Sequence, residues 1–207
     1  MNLSFFERES FDRRSKVRKK VKVKSVKCKI CYRNEKSSKL KDQSSKKKCN
    51  FANEMNELNL PAYDVKVRGT RENPEIFDFL RKRYVTLTPE EWVRQHFTHW
   101  LVEHKGYPKG LLGNEIALKC GEKTLRCDSI LYNRNALPQM IIEYKAPTVS
   151  LTQRVFNQIS VYNLLLRVDY LVVSNGLQHY CCKMDYEHQT FAFLQEIPDY
   201  ASLTNKQ

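Results

Sequence analysis

The pattern of apolar and polar positions changes near residue 58. Before it, lysine and serine dominate, and the few apolar residues follow neither helical nor strand spacing. From Leu58 onward, apolar residues recur at regular intervals. We therefore divide the chain into a basic segment at residues 1–57, expected to be disordered in isolation, and a folded domain at residues 58–207.

Helical spacing predicts two main helices and one short one. Thr88-Pro89-Glu90-Glu91 is a capping box with proline at the first helical position, and the amphipathic helix that it opens ends near Gly106. A second helix is expected over residues 151–167. A short helical pattern follows Asn73-Pro74-Glu75, with Ile76, Phe77 and Leu80 as its apolar face.

Three strand-like runs lie between the two main helices, and three more follow the second helix. The runs are residues 115–120, 124–132, 139–145, 170–174, 178–184 and 190–194. The first three are close enough together to form an antiparallel meander, and residues 170–174 form an apolar run typical of a strand buried on both faces. This order predicts an α/β sandwich with a mixed central sheet flanked by helices.

The positive charge of the chain is concentrated at its beginning. The formal net charge is +13, and residues 1–50 alone hold 18 Lys and Arg against 5 Asp and Glu, so the remainder is neutral. This asymmetry predicts a polyanion partner or a solvated arm for the segment and gives no information on the fold of the domain.

The cysteines and the start of the chain indicate a reduced compartment. The seven cysteines are odd in number, and Glu7, Arg8 and Glu9 stand where a secretion signal would be apolar, so we expect a cytoplasmic protein without a membrane span. Cys28-x-x-Cys31 with Cys49 resembles half of a zinc ribbon, but no histidine precedes His96, and unpaired thiols are the favoured interpretation. Cys181 and Cys182 are expected to pack within a strand, and His96, His99 and His104 to be surface or interface residues.

One group of polar residues points to chemistry. Glu143 and Lys145 lie two apart at the end of the apolar run Met140-Ile141-Ile142, so their side chains share one face of the strand and Tyr144 faces away. Asp128 lies on the preceding strand, across a hairpin. Two carboxylates on neighbouring strands suit Mg²⁺ or Mn²⁺, and a nearby lysine can stabilise charge on a phosphate. The residues alone are equally compatible with ordinary surface ion pairs.

Seven blocks of sequence in order resemble the PD-(D/E)xK nuclease superfamily, and in particular the N-terminal domain of type I restriction enzyme R proteins in a short stand-alone form. The blocks are 88–95, 106–108, Asp128, 143–147, 158–163, 170–176 and 197–200. The resemblance implies a restriction-endonuclease-like fold and a Mg²⁺-dependent DNA endonuclease, with Mn²⁺ as a substitute ion. It also implies DNA as substrate and other restriction–modification subunits as partners.

The resemblance also assigns roles to individual residues. Asp128 and Glu143 resemble the metal-binding acids, Lys145 the catalytic lysine, and Glu115 a further metal contact. Gln158 and Tyr162 resemble a Gln-x-x-x-Tyr element that supports the site or touches the DNA backbone, so all six are candidate catalytic residues.

Two alternatives remain open at this point. No G-x-x-x-x-G-K-[ST] motif occurs, so we expect any translocation to come from a partner, and the chain could be a catalytically weak DNA- or partner-binding module of a restriction assembly. In the other alternative, residues 1–50 bind nucleic acid through phosphate contacts and carry the whole function.

Overall fold

The computed structural model describes residues 57–120 and 122–204. The predictions made for the basic segment before residue 57, including the zinc pattern at Cys28, Cys31 and Cys49, lie outside the described residues. The division of the chain at residues 57 and 58 therefore stays a prediction.

The described residues form strands and helices in the following order. They are β1 (Val67–Gly69), β2 (Pro74–Asp78), β3 (Arg83–Thr86), α1 (Pro89–Lys105), β4 (Leu112–Cys120), β5 (Lys123–Tyr132), β6 (Pro138–Tyr144), α2 (Gln153–Leu166), β7 (Tyr170–Ser174), β8 (His179–Asp185), β9 (Thr190–Leu194) and α3 (Tyr200–Thr204). A 3₁₀ turn at Lys109–Leu111 leads into β4. No described helix is long and apolar enough to cross a membrane.

The central sheet has six strands in the order β4-β5-β6-β7-β8-β9. All neighbouring pairs are antiparallel except β6 and β7, which are parallel and joined by α2. The predicted meander β4–β6 is thus confirmed, and so is the mixed α/β class. The parallel pair needs a crossover of this length, which is why a helix separates the two most apolar strands.

The two main helices cover opposite faces of the central sheet. On α1, Val93, Phe97 and Leu101 are fully buried against one face, where they meet Ile142 and Val172. The opposite face has its own core, whose members include Val155, Phe156 and Ile159 from α2 and Ile141, Leu171 and Val173 from the strands. Because successive strand residues alternate between faces, the apolar runs of β6 and β7 supply both cores.

A separate three-stranded sheet precedes α1, in the order β1-β2-β3 with antiparallel pairing. The short helix predicted after Asn73 is wrong, because Pro74–Asp78 is strand β2. Ile76 pairs with both Val67 and Val85, and Ile76 packs with Trp92 of α1 in a third apolar cluster. In this sheet, inward-facing and outward-facing residues alternate along each strand, which is a period of two.

The small sheet also explains why α1 is buried on more than one face. Thr88 caps the helix, with its side chain accepting a hydrogen bond from the backbone N–H of Glu91 (3.0 Å), and Gly106 ends the helix in a left-handed conformation. Of the two positions predicted for His96, surface or interface, the surface is wrong, because His96 is 6% exposed and packs against Tyr63 and Trp92. Burial lowers the pKa of His96 to about 4. His99, which is half-buried, stacks on Tyr63 at 3.7 Å between ring centroids.

We expect Gly176→Ala to destabilise the protein by about 1–3 kcal/mol, measured as the free energy of unfolding in urea. Gly176 has φ of +80°, and an added Cβ would lie 2.6 Å from Leu58 Cδ2 and 3.1 Å from Val93 Cγ2. Gly110→Ala is the matched control, since no atom lies within 4 Å of a Cβ placed there. Equal stability of the two variants would show that the turn after β7 is not packed as described.

Candidate active site

The site lies at the carboxyl end of β6, where a buried carboxylate meets an ammonium group. Glu143 is 3% exposed, and its Oε1 accepts hydrogen bonds from Lys145 Nζ (2.8 Å) and from Gln158 Nε2 (2.7 Å). Gln158 comes from α2, so the strand and the helix together fix this carboxylate. Tyr144 is fully buried in the core on the α1 side, as its alternation with Glu143 predicts.

The register of β5 against β6 brings Asp128 to the same end of the sheet, because the pair Ser129–Ile142 sets Asp128 across from Glu143. On its other side, β5 pairs with β4 at Asn114–Ser129 and at Ile116–Cys127. Between these pairs Glu115 and Asp128 lie opposite each other, and there the ladder is interrupted. Glu115 has φ of +56°, a left-handed conformation that is uncommon for a residue other than glycine and costs on the order of 1 kcal/mol.

Asp128 reaches both α1 and β6. Its Oδ1 accepts from Arg94 Nη2 of α1 (2.8 Å), and its Oδ2 accepts from the backbone N–H of Tyr144 (2.8 Å), the residue directly after Glu143. Asp128 and Glu143 therefore take side-chain partners from different helices but meet at the end of β6. The resulting concentration of negative charge is the main electrostatic feature of the site.

The charge of Asp128 also acts on the pKa of Glu143. Burial, and then the charge of Asp128, raise the pKa of Glu143 to about 7, although the hydrogen bond and charge of Lys145 act in the opposite direction. Burial alone would lower the pKa of Lys145, but Glu143 raises it overall, so this ammonium group stays charged at neutral pH.

Gln158 and Tyr162 share the face of α2 that points to Glu143. The pKa of Tyr162 is raised by burial and, to a smaller extent, by the charge of Glu143, while a hydrogen bond with Gln158 acts against this rise. Gln158 is thus the direct partner of the carboxylate, and Tyr162 lies behind it.

Glu115 forms ion pairs with two arginines. Its Oε1 lies 2.6 Å from Arg94 Nη2, and its Oε2 lies 3.1 Å from Arg126 Nη1. Arg94 also pairs with Glu91 of its own helix, so one buried guanidinium neutralises three carboxylates. Burial alone would lower the pKa of Arg94, but the charges of Asp128, Glu91 and Glu115 raise it.

Sequence reasoning missed this arginine network and one exposed acid. Glu91 accepts from Arg81 Nη2 at 3.2 Å and from Gln95 Nε2 at 2.8 Å. The exposed Glu90, one residue earlier, contributes negative charge that raises the pKa of both Glu143 and Lys145. The signal in the sequence was the Glu90-Glu91 pair in the first helical turn, which the capping-box interpretation accounted for only in part.

The donor set was tested for its fit to a divalent cation. Within residues 57–120 and 122–204, no group of three or more His, Cys, Asp and Glu is arranged to hold a metal ion. Mg²⁺, however, is commonly bound by one or two carboxylates completed by water and substrate phosphate. Asp128 and Glu143 supply carboxylates of the type that this mode uses, and the assignment of Glu115, Asp128 and Glu143 as metal ligands stays a prediction.

Comparison with known proteins gives one family and one related structure. The family model described as "Type I restriction enzyme R protein N terminus (HSDR_N)" matches residues 89–198, more than half of the chain. A fragment described as an HsdR subunit of a type I restriction enzyme from Vibrio vulnificus YJ016 is 20% identical, with a TM-score of 0.42 over 57% of this chain. The match spans 25% of that structure, and no curated protein matches the chain.

We expect Glu143→Gln to stabilise the metal-free protein at about pH 8 by about 1–3 kcal/mol. The folded-state pKa of Glu143, about 7, lies above the ordinary glutamate value of 4.5, so the stability that this group contributes is present below pH 4.5 and is lost as pH rises through 7. The gain should therefore shrink as pH falls toward about 5. Urea unfolding in EDTA measures it, with the exposed Glu187→Gln as the control, and a destabilised Glu143→Gln variant at pH 8 would contradict the electrostatic analysis.

A second prediction concerns the buried guanidinium. Arg94→Met should cost about 3–5 kcal/mol of unfolding free energy, because Glu91, Glu115 and Asp128 lose the charge that neutralises them. Arg126→Met removes the other partner of Glu115, but Arg126 is 70% exposed and its loss should cost less than about 1 kcal/mol. Similar costs for the two variants would show that Arg94 is not the central cation of the network.

Proposed function

The chain belongs to the type I restriction enzyme R protein N-terminus family, and we propose that it is a metal-dependent DNA endonuclease domain that hydrolyses phosphodiester bonds. The observation that carries the proposal is the buried Glu143, bonded to Lys145 and Gln158 and placed beside Asp128 at the end of β6. Burying a carboxylate next to a second one is unfavourable unless a cation offsets the repulsion, and such arrangements are concentrated at functional sites.

In this proposal Asp128 and Glu143 hold a Mg²⁺ ion, for which Mn²⁺ can substitute. The chemistry that such an ion supplies is polarisation of the phosphate and activation of the attacking water. Glu115 is the proposed further contact, and because both its oxygens face arginines, it would exchange at least one of these partners to serve that role.

Lys145 acts as a cation rather than as a base. Its pKa is raised, so it remains protonated at neutral pH and can stabilise the negative charge that develops on the phosphate. Its Nζ donates to Glu143, which places the ammonium group beside one of the two proposed metal-binding carboxylates. Gln158 positions Glu143 by donating to Oε1, and Tyr162 supports Gln158.

DNA as substrate, other restriction subunits as partners and a cytoplasmic setting complete the proposal. Family membership supports the first two. The buried free thiols of Cys127, Cys181 and Cys182 support a reducing compartment.

A second candidate function is a DNA- or partner-binding module of a restriction assembly with little activity of its own. The observation that favours it is the lack of a three-ligand metal cluster in the described part of the chain, where both oxygens of Asp128 already accept hydrogen bonds. This candidate predicts DNA binding by the full chain without cleavage in either metal.

The full chain should nick or linearise supercoiled plasmid in Mg²⁺ or Mn²⁺, and EDTA should abolish the cleavage. Lys145→Met should lower the cleavage rate by about a hundredfold or more, since it removes the only side-chain cation bonded to Glu143 among the described residues. Lys183→Met, on β8, is the matched control and should cleave at the normal rate. Full activity of Lys145→Met would refute the assignment, and binding without cleavage by the unaltered chain would favour the second candidate.

A further inference from the structure

The outer face of the three-stranded sheet is a surface that the proposed reaction does not use. The sheet lies before residue 89, where the family match begins. Its inner face, formed by Val67, Ile76 and Val85, packs toward α1. The intervening residues of each strand therefore point to the other side of the sheet.

That outer face carries aromatic rings covered by cations. Phe77 and Tyr84 are paired across β2 and β3, with their ring centroids 5.2 Å apart in an edge-to-face arrangement. The guanidinium of Arg68 lies 4.0 Å from the centroid of Tyr84, and Lys66 Nζ lies 5.8 Å from that of Phe77. Both rings are half-buried, whereas both cations are exposed.

The stretch that contains the small sheet is also the more basic part of the described chain. Residues 58–88 contain six Lys and Arg against four Asp and Glu, whereas residues 89–204 contain eleven against twelve. One of the four acids, Asp78, is fully buried and bonded to Arg81, so it does not face solvent. The exposed cations of the sheet and its turns are Lys66, Arg68, Arg71, Lys82 and Arg83.

One acid on the outer face competes with a ligand for Arg68. Glu75 Oε2 lies 2.6 Å from Arg68 Nε, with side-chain exposures of 37% and 56%. Exposed pairs of this kind contribute at most about 1 kcal/mol, so a phosphate group can replace Glu75 at the guanidinium.

The sheet is tied directly to the candidate active site. Arg81, in the turn between β2 and β3, pairs with Glu91, and Glu91 pairs with Arg94, the partner of Asp128. Tyr84 precedes Glu90 by six residues, so the two are at most about 20 Å apart. A strand of DNA only a few nucleotides long could therefore reach from the outer face to the site.

We propose that the outer face of β1–β3 binds an unpaired strand of DNA next to the phosphate that the site acts on. Phe77 and the plane of Arg68, which lies over Tyr84, stack on bases, while Lys66 and the edge of Arg68 that Glu75 now occupies contact phosphates. The strand must be unpaired because stacking on a protein ring requires an exposed base face. This inference rests on the proposed nuclease function for its substrate, but not for its binding chemistry.

Photocross-linking locates the contact independently of affinity. The full chain in EDTA is mixed with an oligonucleotide of about 20 nucleotides that contains 5-bromodeoxyuridine, at roughly 0.3 M salt so that phosphate contacts by residues 1–50 are weakened. We expect cross-links on peptides that contain Phe77 or Tyr84. Cross-links confined to other peptides, or equal cross-linking from the same sequence within a duplex, would overturn the proposal.

Variants test the roles of individual side chains by fluorescence anisotropy under the same conditions. Arg68→Ala should weaken binding of the single strand by about fivefold or more, and Glu75→Gln should strengthen it, because Arg68 loses its competitor. A purely structural role for the Arg68–Glu75 pair would weaken binding in both. Arg167, which also covers a tyrosine ring (4.8 Å from Tyr186) but at the end of α2, provides the matched control Arg167→Ala.

The outcome is separable from that of the proposed function. Plasmid cleavage with cross-links elsewhere would reject the binding surface and leave the nuclease intact. Cross-links at Phe77 or Tyr84 without cleavage in any metal would support the surface and reject the nuclease. The circular dichroism spectrum and melting temperature of each variant, compared with those of the unaltered chain, show whether the fold is retained.

Discussion

The register of β5 against β6, which sets Asp128 across from Glu143, is the constraint on which the candidate site depends. If the ladder between β4 and β5 were regular, Asp128 would face the same core as Ile130, two residues on, which packs on the α2 side. The ladder is interrupted where Glu115 takes a left-handed backbone, and the carboxylate of Asp128 instead reaches Arg94 and the backbone of Tyr144. The register of β5 against β6 therefore places the two acids at one end of β6, and the interruption turns Asp128 toward Arg94.

Much of the fold follows from the sequence because its longer elements have strong periodic signals. The capping box before α1, the apolar runs of β6 and β7 and the turns between strands define the central sheet and its two covering helices. The small sheet was missed for a physical reason. Strands of three to five residues are too short for the alternation of apolar and polar positions to repeat clearly. Pro74 also fits the first turn of a helix as well as an edge strand.

That omission also limited the prediction of the site. Glu91, Arg94 and Gln95 resemble the polar face of an amphipathic helix, yet all three are buried, Glu91 against Arg81 and Arg94 against Glu115 and Asp128. The closeness of Glu143 and Lys145 was predictable from their spacing on one strand. The bond from Gln158 depended on the family resemblance, because nothing in the sequence alone determines how α2 rotates against β6.

The central claim is that Asp128 and Glu143 share one divalent cation. The most direct measurement is a crystal structure of the full chain soaked in Mn²⁺, with the ion located by its anomalous scattering. The account predicts a single strong peak in contact with oxygens of both carboxylates, with Lys145 moved away from Glu143. A peak bound to only one of the two residues, or no peak while the Lys145–Glu143 pair persists, would contradict it.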